Sequence, residues 1–292
     1  PSIPQTMIWN PADSDVRFAE LMKLTQAALT NRPDLLIWPE AAVPRMVRDD
    51  PATQSAIQQL AASNQVWLII GSDDFEFRGT NAVYFNSSFL VSPRGEFIST
   101  YRKRRLVIFG EYVPLVSWLP FVKYLTPISG GFTAGERPIT FELGNLGVKT
   151  SVLICFEDVF PHYAREHAGD DVDFLVNITN DGWFGESAAH WQQATSAALR
   201  AVENGRPLVR CANNGLSCWV DPFGALHNVY FDDSTDIYRA GYKIVNVPIP
   251  SAHPNLRGTF YNRHGDVFGW ACVGITTAAL ALRFGRQFTQ RT

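Results

Sequence analysis

The residues best suited to chemistry are a cysteine, a glutamate and a lysine, each beside a strand-like run. Cys155 follows the small and apolar residues 151–154, Glu40 follows the apolar run 35–39, and Lys103 lies in the basic run 102–105. A cysteine attacks a carbonyl carbon as a thiolate, so it needs a base, and the resulting oxyanion needs a cation or N–H donor. The three side chains meet these needs if successive strands of one sheet end at one edge.

In such a site Cys155 would be the nucleophile, Glu40 the general base and Lys103 the oxyanion partner. Each residue also has a plainer interpretation. Cys155 could be a buried structural cysteine, Glu40 a solvated carboxylate at a strand end, and Lys103 one of four cations in a solvated run. For Lys103, spacing alone favours the plainer interpretation.

Further segments decide between these interpretations. One is the run Tyr-Arg-Lys-Arg-Arg-Leu-Val at 101–107. The other informative segments are residues 3–5 with Trp9, 106–114, 177–185, 206–207 and 213–215. Together they resemble the nitrilase superfamily, whose members use a Glu-Lys-Cys triad on an α-β-β-α sandwich. Within that superfamily they resemble the branch of apolipoprotein N-acyltransferases. The resemblance singles out Lys103 among the four cations, because the family pattern Tyr-x-Lys-x-x-Leu-Val matches residues 101–107.

The resemblance also implies supporting residues. Glu111 is expected to orient the lysine or the base, and Glu157 is a second supporting carboxylate. Phe156 stands where the branch commonly has tyrosine, so the ring is kept and the hydroxyl is lost. Ile108 stands where the branch usually has proline, which leaves the reacting groups unchanged.

Aromatic residues on predicted loops suit the binding of an acyl chain. Trp9, Trp118 and Trp183 are the predicted substrate-binding residues, although core packing is the default for any single aromatic side chain. The apolar loop 113–128 is predicted to be a lid that dips into a membrane.

Strand-like runs alternate with helical runs, which predicts an α/β layered fold. The predicted helices cover 13–30, 51–62, 160–167 and 188–204, and the predicted strands cover 35–38, 66–71, 81–91, 97–100, 148–155, 174–179, 208–212 and 216–220. The resemblance makes this fold a nitrilase-like α-β-β-α sandwich, with a catalytic domain over 1–262. It also implies a first strand and a multi-helix membrane region before residue 3.

The composition limits the function classes. The 292 residues are 46% apolar, enough for a sizeable core, and the net charge of −3 gives no reason to expect nucleic-acid binding. The four cysteines lack paired metal-type spacing, and neither a metal nor an organic cofactor is implied. Cys211 and Cys218 flank a predicted turn and could form a disulfide or, more simply, be two packed free thiols.

The uncharged run of 16 residues at 267–282 predicts a C-terminal helix, for which two environments compete. The run is shorter than the about 20 residues that span a bilayer, which favours a helix packed on the domain. Trp270 near one end, followed by the cations Arg283, Arg286 and Arg291, favours a spanning helix with a cytoplasmic basic end. We predict a transmembrane helix at 267–285, which places the preceding domain in the periplasm, at the bacterial inner membrane.

The resemblance predicts transfer of a fatty acyl chain. Cys155 would take the chain from a phospholipid as a thioester and pass it to the N-terminal amine of a diacylglyceryl-cysteine apolipoprotein. The expected partners are these two substrates and the membrane. The main alternative is a soluble nitrilase-type amidase that hydrolyses small amides with the same triad. A third interpretation is a catalytically inactive binding domain on a membrane anchor.

Overall fold

Two β-sheets lie face to face between two layers of helices. The computed structural model describes residues 1–8, 10–114, 131–231, 234–249 and 258–289. Within those residues the strands are β1 (Leu35–Ile37), β2 (Trp67–Arg78), β3 (Asn81–Val91), β4 (Phe97–Arg102), β5 (Thr140–Leu143), β6 (Val148–Ile154), β7 (Phe174–Asn180), β8 (Leu208–Asn213), β9 (Cys218–Val220) and β10 (Leu226–His227). The α-helices over the same residues are α1 (Gln5–Ile8), α2 (Ser14–Leu29), α3 (Pro51–Asn64), α4 (Pro161–His167), α5 (Ala189–Asn204), α6 (Phe260–His264) and α7 (Val267–Thr289).

The order of the strands explains why polar residues meet at one edge. The first sheet runs β1-β2-β3-β4, with β1 parallel to β2 and the later pairs antiparallel. The second sheet runs β10-β9-β8-β7-β6-β5, and β6, β7 and β8 at its centre are parallel. Parallel strands end at the same edge, so the residues that follow β6 and β7 lie side by side.

Three apolar clusters hold the layers together. One lies between the first sheet and α2 and α3, one between the two sheets, and one between the second sheet and α5. In β2, Leu68 and Ile70 pack toward the helices, whereas Trp67 and Ile69 pack against the other sheet. This follows from the alternation of side chains along a strand. The result is the α-β-β-α arrangement of a nitrilase-like α/β fold, as predicted.

The predicted helices and strands form, with shifted ends. β2 continues to Arg78, beyond the predicted end at 71, because it pairs along the whole of β3. The prediction that the strand at 148 continues through residue 155 is wrong by one residue, since Cys155 begins a 3₁₀ turn. β5 is absent from the prediction because its four residues give too short a pattern to recognise.

The helix α7 forms over the predicted C-terminal run and continues to Thr289. Its side chains are exposed from Val267 to residue 283, so the alternative of a helix packed on the domain is not observed. Among the described residues, no helix combines the length and the hydropathy needed to cross a bilayer. The spanning part of the prediction for 267–285 is therefore unconfirmed.

Candidate active site

Cys155 occupies a strained turn at the end of β6. It is the first residue of the 3₁₀ turn Cys155–Val159, has a φ of 52° and is 8% exposed. A left-handed backbone costs a residue other than glycine about 1–2 kcal/mol, so surrounding contacts must hold the turn. One of these contacts is a hydrogen bond from Asn177 Nδ2 to the Cys155 carbonyl, at 3.1 Å.

Glu157 links this turn to the segment that carries Lys103. Its buried carboxylate accepts a main-chain hydrogen bond from Ile154 at 2.8 Å, and two more from the residues that follow Lys103, at 2.7 and 3.0 Å. The Tyr101 hydroxyl also donates to it, at 2.9 Å. Burial raises the pKa of Glu157, although the main-chain donors oppose that rise. Glu157 thus fixes the two segments relative to each other.

Lys103 lies inside the protein between two carboxylates. Its Nζ donates to Glu40 Oε1 at 3.1 Å and to Glu111 Oε1 at 2.8 Å. Burial opposes the charge, but Glu40, Cys155 and Glu111 outweigh it and raise the pKa of Lys103 well above its usual value. The side chain is a cation at neutral pH, which suits the stabilisation of an oxyanion.

Asn86, on β3, joins the two carboxylates. Its Nδ2 donates to Glu40 Oε1 at 2.7 Å and to Glu111 Oε1 at 2.9 Å. The other oxygen of Glu111 accepts from the main-chain N–H of Val107 at 2.8 Å. The sequence reasoning missed Asn86. The only sign of a role for Asn86 is that it is a polar residue, followed by two serines, in the half of β3 that is buried.

Glu40 is placed by a close approach of two backbones after β1. A Cβ atom at Gly71 would lie 2.3 Å from the Pro39 carbonyl oxygen and 2.8 Å from the Glu40 Cα, so only glycine fits there. Glu40 Oε2 accepts from the main-chain N–H of Asn180, at the end of β7, at 2.9 Å. Because Glu40 is 6% exposed, the alternative of a solvated strand-end carboxylate is not observed.

The surroundings of Cys155 keep its thiol protonated at rest. Burial and the charge of Glu40 raise the pKa of Cys155 to about 12, while Lys103 and a hydrogen bond with Thr179 act in the opposite direction. Such a thiol is a poor nucleophile at neutral pH until a base removes its proton. The charge of Glu40 acts on the thiol, and Glu40 Oε1 contacts Lys103. This placement suits Glu40 to accept the proton of the thiol.

A second group of buried polar residues lies behind Cys155. Thr179 Oγ1 donates to Asp181 Oδ1 at 3.1 Å, and Arg210 Nη2 donates to both oxygens of Asp181 at 2.8 and 2.9 Å. His190 Nδ1 contacts the same carboxylate at 3.3 Å. These contacts fix the hydroxyl that meets the sulfur. The sequence reasoning did not find them, because they join residues from β7, α5 and β8.

Exposed apolar side chains lie next to this buried group. Phe156, which follows Cys155, is 39% exposed, and its ring contacts the ring of Phe160 edge to face with centroids 5.5 Å apart. Ile108 and Phe109, on the turn before Glu111, are 49% and 52% exposed. The apolar side chains that neighbour Cys155 and Glu111 in the sequence are therefore exposed, whereas the catalytic side chains are buried.

The predicted substrate-binding residues are only partly described. Trp183 lies between β7 and α5, in the 3₁₀ turn Asp181–Phe184, and is 49% exposed. Trp9 and Trp118 lie outside the described residues, as does most of the predicted lid at 113–128.

The remaining cysteines bear on the metal and disulfide predictions. Cys211 and Cys218 are free thiols, so the second of the two interpretations applies to them. Burial raises the pKa of each to about 11. Over the part of the chain that the structure describes, no group of three or more His, Cys, Asp or Glu side chains could hold a metal ion.

An α-β-β-α sandwich with a buried glutamate, lysine and cysteine at its strand ends is the arrangement of an enzyme with a cysteine nucleophile. The sequence model of the family described as carbon-nitrogen hydrolase matches residues 3–235. The chain belongs to the carbon-nitrogen hydrolase family.

Within that family the chain is similar to proteins named apolipoprotein N-acyltransferase. The relative from Geobacter metallireducens is 37% identical over 98% of this chain and 53% of its own length. The relative from Brucella melitensis is 36% identical over 77% of this chain and 43% of its own length. The relative from Rickettsia prowazekii is 35% identical over 77% of this chain and 45% of its own length. The chain spans about half the length of the curated relatives it matches.

Solved structures of an amidase from Nesterenkonia sp. are similar in fold. One has a TM-score of 0.53 and 19% sequence identity, with 74% of this chain and 79% of that chain covered. A mutant of the same amidase, described as belonging to the nitrilase superfamily, has a TM-score of 0.53 with 74% and 80% covered. At this level of identity the likeness shows the fold alone.

Proposed function

We propose that this chain carries the catalytic site of an N-acyltransferase, which moves a fatty acyl chain from a phospholipid to the N-terminal amine of a diacylated apolipoprotein. The observation that carries the proposal is the 37% identity, over 98% of the chain, to a relative named apolipoprotein N-acyltransferase. The amidase-like fold supports cysteine chemistry, but it does not distinguish a phospholipid substrate from a small amide.

In the first half-reaction, Cys155 Sγ attacks the ester carbonyl of the phospholipid and Glu40 takes the thiol proton. Lys103 and the main-chain N–H of Phe156 stabilise the oxyanion. The intermediate collapses to a thioester, and the lyso-phospholipid leaves as its alkoxide takes the proton from Glu40. A pKa of about 12 for Cys155 supports a step in which thiolate forms only as the base acts.

In the second half-reaction, the amino group of the diacylglyceryl-cysteine attacks the thioester carbonyl. The new C–N bond forms and the C–S bond breaks, while Glu40 takes a proton from the amine and returns it to the Cys155 sulfur. Glu111 and Asn86 support this cycle, because Glu111 accepts from Lys103 and Asn86 donates to both Glu40 and Glu111. We assign the exposed apolar side chains beside Cys155 and Glu111 to excluding the water that would hydrolyse the thioester.

The acyl chain is assigned to the exposed aromatic residues near the site. The exposure of Trp183 and Phe156, at 49% and 39%, supports this assignment, because exposed apolar patches commonly mark binding surfaces. Trp9 and Trp118 are assigned to the same role on the resemblance.

A phospholipid substrate places the site at a membrane, and we assign α7 to that membrane. Its exposed residues include Phe268, Trp270 and Ile275, at 77%, 72% and 71% exposed. An apolar surface of this kind supports membrane attachment. If the cations Arg283, Arg286 and Arg291 after this apolar run lie on the cytoplasmic side, the catalytic domain, 1–262, lies on the periplasmic side of the bacterial inner membrane.

An acyl-transfer assay tests this function against an amidase. The full chain in detergent micelles is mixed with phosphatidylethanolamine and a diacylglyceryl-cysteine peptide, and the peptide is followed by mass spectrometry. We expect N-acylated peptide and lyso-phospholipid in equal amounts, and no product with Cys155→Ala. Hydrolysis of small amides without peptide acylation would contradict the proposal and establish the amidase alternative.

A further inference from the structure

One of the four cations in the basic run at 102–105 differs from the others in its ion-pair partners. Arg102 pairs with Asp74 at 2.8 Å and with Glu76, Lys103 pairs with Glu40 and Glu111 at 3.1 and 2.8 Å, and Arg104 pairs with Glu166 at 2.6 Å. Within the described part of the chain, Arg105 has no carboxylate partner. Residues 115–130, which include most of the predicted lid, contain no Asp or Glu in the sequence. Among the described residues, the charge of Arg105 is thus left without a carboxylate.

Two contacts fix the position of Arg105, one made by its main chain and one made by its guanidinium. Its main-chain N–H donates to Glu157 at 3.0 Å. Its guanidinium lies over the ring of Phe160, with the Cζ atom 4.8 Å from the ring centroid. Phe160 in turn contacts Phe156, the residue directly after Cys155. Arg105, which is exposed, is therefore linked to the residue next to Cys155 through the ring of Phe160.

The surroundings of Arg105 match an amphiphile that carries an anion. Ile108, Phe109 and Phe156 are exposed apolar side chains close to it in sequence or through Phe160. A guanidinium presents a planar fork of donors that fits two oxygens of a phosphate. Stacking on an aromatic ring leaves the edge of that fork free for such a ligand.

We propose that Arg105 binds the phosphodiester of the glycerophospholipid acyl donor and so holds the donor's ester at Cys155. This inference rests on the proposed acyltransferase function and names the part of the donor that the protein recognises. The three-carbon glycerol unit separates the phosphate from the ester carbonyl, so one anchored end restricts where the other can lie. The contact is made to a group that all glycerophospholipids share, and it gives preference for them over neutral diacylglycerol.

The test compares Arg105→Gln with Arg104→Gln. Both changes remove one cation that is stacked on an aromatic ring, since Arg104 lies over Tyr163 with its Cζ 4.9 Å from the centroid. Arg104 differs because Glu166 already neutralises it. The rate at which Cys155 forms a thioester is measured on the full chain in micelles, with phosphatidylethanolamine or with p-nitrophenyl butyrate, an acyl donor that lacks phosphate.

We expect Arg105→Gln to slow acylation by phosphatidylethanolamine at low donor concentration by about tenfold or more, the value of one charged hydrogen bond. Acylation by p-nitrophenyl butyrate should stay at the wild-type rate, and Arg104→Gln should match wild type with both donors. Equal effects of the two substitutions, or an equal loss with p-nitrophenyl butyrate, would overturn the inference.

A second arm separates the lipid from free phosphate. Glycerophosphoethanolamine should inhibit acylation of the wild-type chain and lose that effect in Arg105→Gln. Inhibition by inorganic phosphate that is as strong as by glycerophosphoethanolamine would overturn the assignment to a lipid. If no phospholipid acylates the wild-type chain while p-nitrophenyl butyrate does, the proposed function itself fails, and this inference fails with it.

Discussion

The charge state of Cys155 depends on a few side chains that act in opposite directions. Burial and Glu40 keep the proton on the sulfur, and Lys103 and Thr179 favour the thiolate. The Thr179 hydroxyl has one hydrogen, which it gives to Asp181 in the resting site. When the thiolate forms, the same hydrogen can turn to the sulfur. Thr179 is therefore placed to stabilise the thiolate form of Cys155.

Thr179→Val removes this hydroxyl at nearly constant volume, and we expect it to raise the pKa of Cys155 further. At about pH 8 the rate of alkylation by iodoacetamide should fall about tenfold for each unit of that rise, because only the thiolate reacts. Thr179→Ser keeps the hydroxyl and should stay near wild type. The rate is measured by mass spectrometry of the peptide that contains Cys155. Equal rates for the valine and serine variants would contradict the role of the hydroxyl.

Asp73, on β2, is a further carboxyl near Glu40 and Glu111. Burial and those two charges raise the pKa of Asp73 to about 7. The unfolded chain releases this proton at the ordinary, lower pKa of an aspartate, whereas the folded protein keeps it until about pH 7. Stability from this group is therefore present at low pH and is lost as pH rises through the folded pKa.

Asp73→Asn removes that dependence while keeping the shape of the side chain. We expect the free energy of unfolding of the variant, relative to wild type, to increase from about pH 4 and to level off above about pH 7. Urea unfolding at a series of pH values measures the difference. A difference that is the same at every pH would show that Asp73 does not titrate in this range.

The sequence allows prediction of Glu40, Lys103 and Cys155 as a group. Glu40 and Cys155 follow recognisable strand-like runs, whereas Lys103 is singled out by the family pattern at 101–107 and not by its spacing. The structure places them together in one buried cluster. Asn86 and Thr179 could not be found in this way. Their importance comes from contacts with residues on other strands, and their residue types are common in any strand.

At the scale of secondary-structure elements, the close approach of β2 to the segment after β1 sets the position of Glu40. Gly71→Ala adds a Cβ atom that would lie 2.3 Å from the Pro39 carbonyl oxygen. We expect the Glu40 segment to move and activity to fall by more than about tenfold, since small displacements of catalytic groups are costly. Thioester formation with p-nitrophenyl butyrate measures the effect.

Gly79→Ala is the control for this change, because a Cβ atom there meets no atom within 4 Å. Its φ of 65° makes alanine strained there, so the control carries a backbone strain that Gly71→Ala does not have, and it should still keep more activity. Equal activity of the two variants would contradict the idea that the close approach at Gly71 positions Glu40.

The contact between β4 and the turn after β6 depends on Glu157. Tyr101→Phe removes the hydroxyl that donates to this carboxylate at 2.9 Å and leaves the three main-chain donors in place. We expect a loss of about 1.5–3 kcal/mol in the free energy of unfolding, the usual value for a hydrogen bond to a charged group. Denaturant unfolding at neutral pH provides the measurement, and an unchanged midpoint would contradict it.

Elements with strong local patterns could be predicted, and those defined by pairing could not. Helices α2, α3 and α5 and strand β3 form close to their predicted bounds. β5 and the extension of β2 exist because of partners elsewhere in the chain. The end of β6 at Ile154 reflects the turn that Glu157 holds, which local propensity does not describe.

At the scale of the whole molecule, α7 is an apolar helix with exposed side chains, whereas the preceding domain buries its apolar side chains in three clusters. Trp270→Glu places a charge at a position that is 72% exposed, and we expect it to lower binding of the full chain to phospholipid vesicles by about tenfold. Leu199→Glu makes the same kind of change on α5, at a position 53% exposed, and should leave binding unchanged. Vesicle flotation measures both, and equal losses would contradict a specific role for α7.

The most direct test of the account is the intact mass of the full chain after incubation with phosphatidylethanolamine in micelles, beside a Cys155→Ala control. The account predicts one added fatty acyl group on the wild-type chain, which hydroxylamine removes because a thioester is labile to it, and no addition to the control. The same addition to the control would place the acyl group on another residue. No addition to either chain, with hydrolysis of small amides by the wild-type chain alone, would contradict the acyltransferase account.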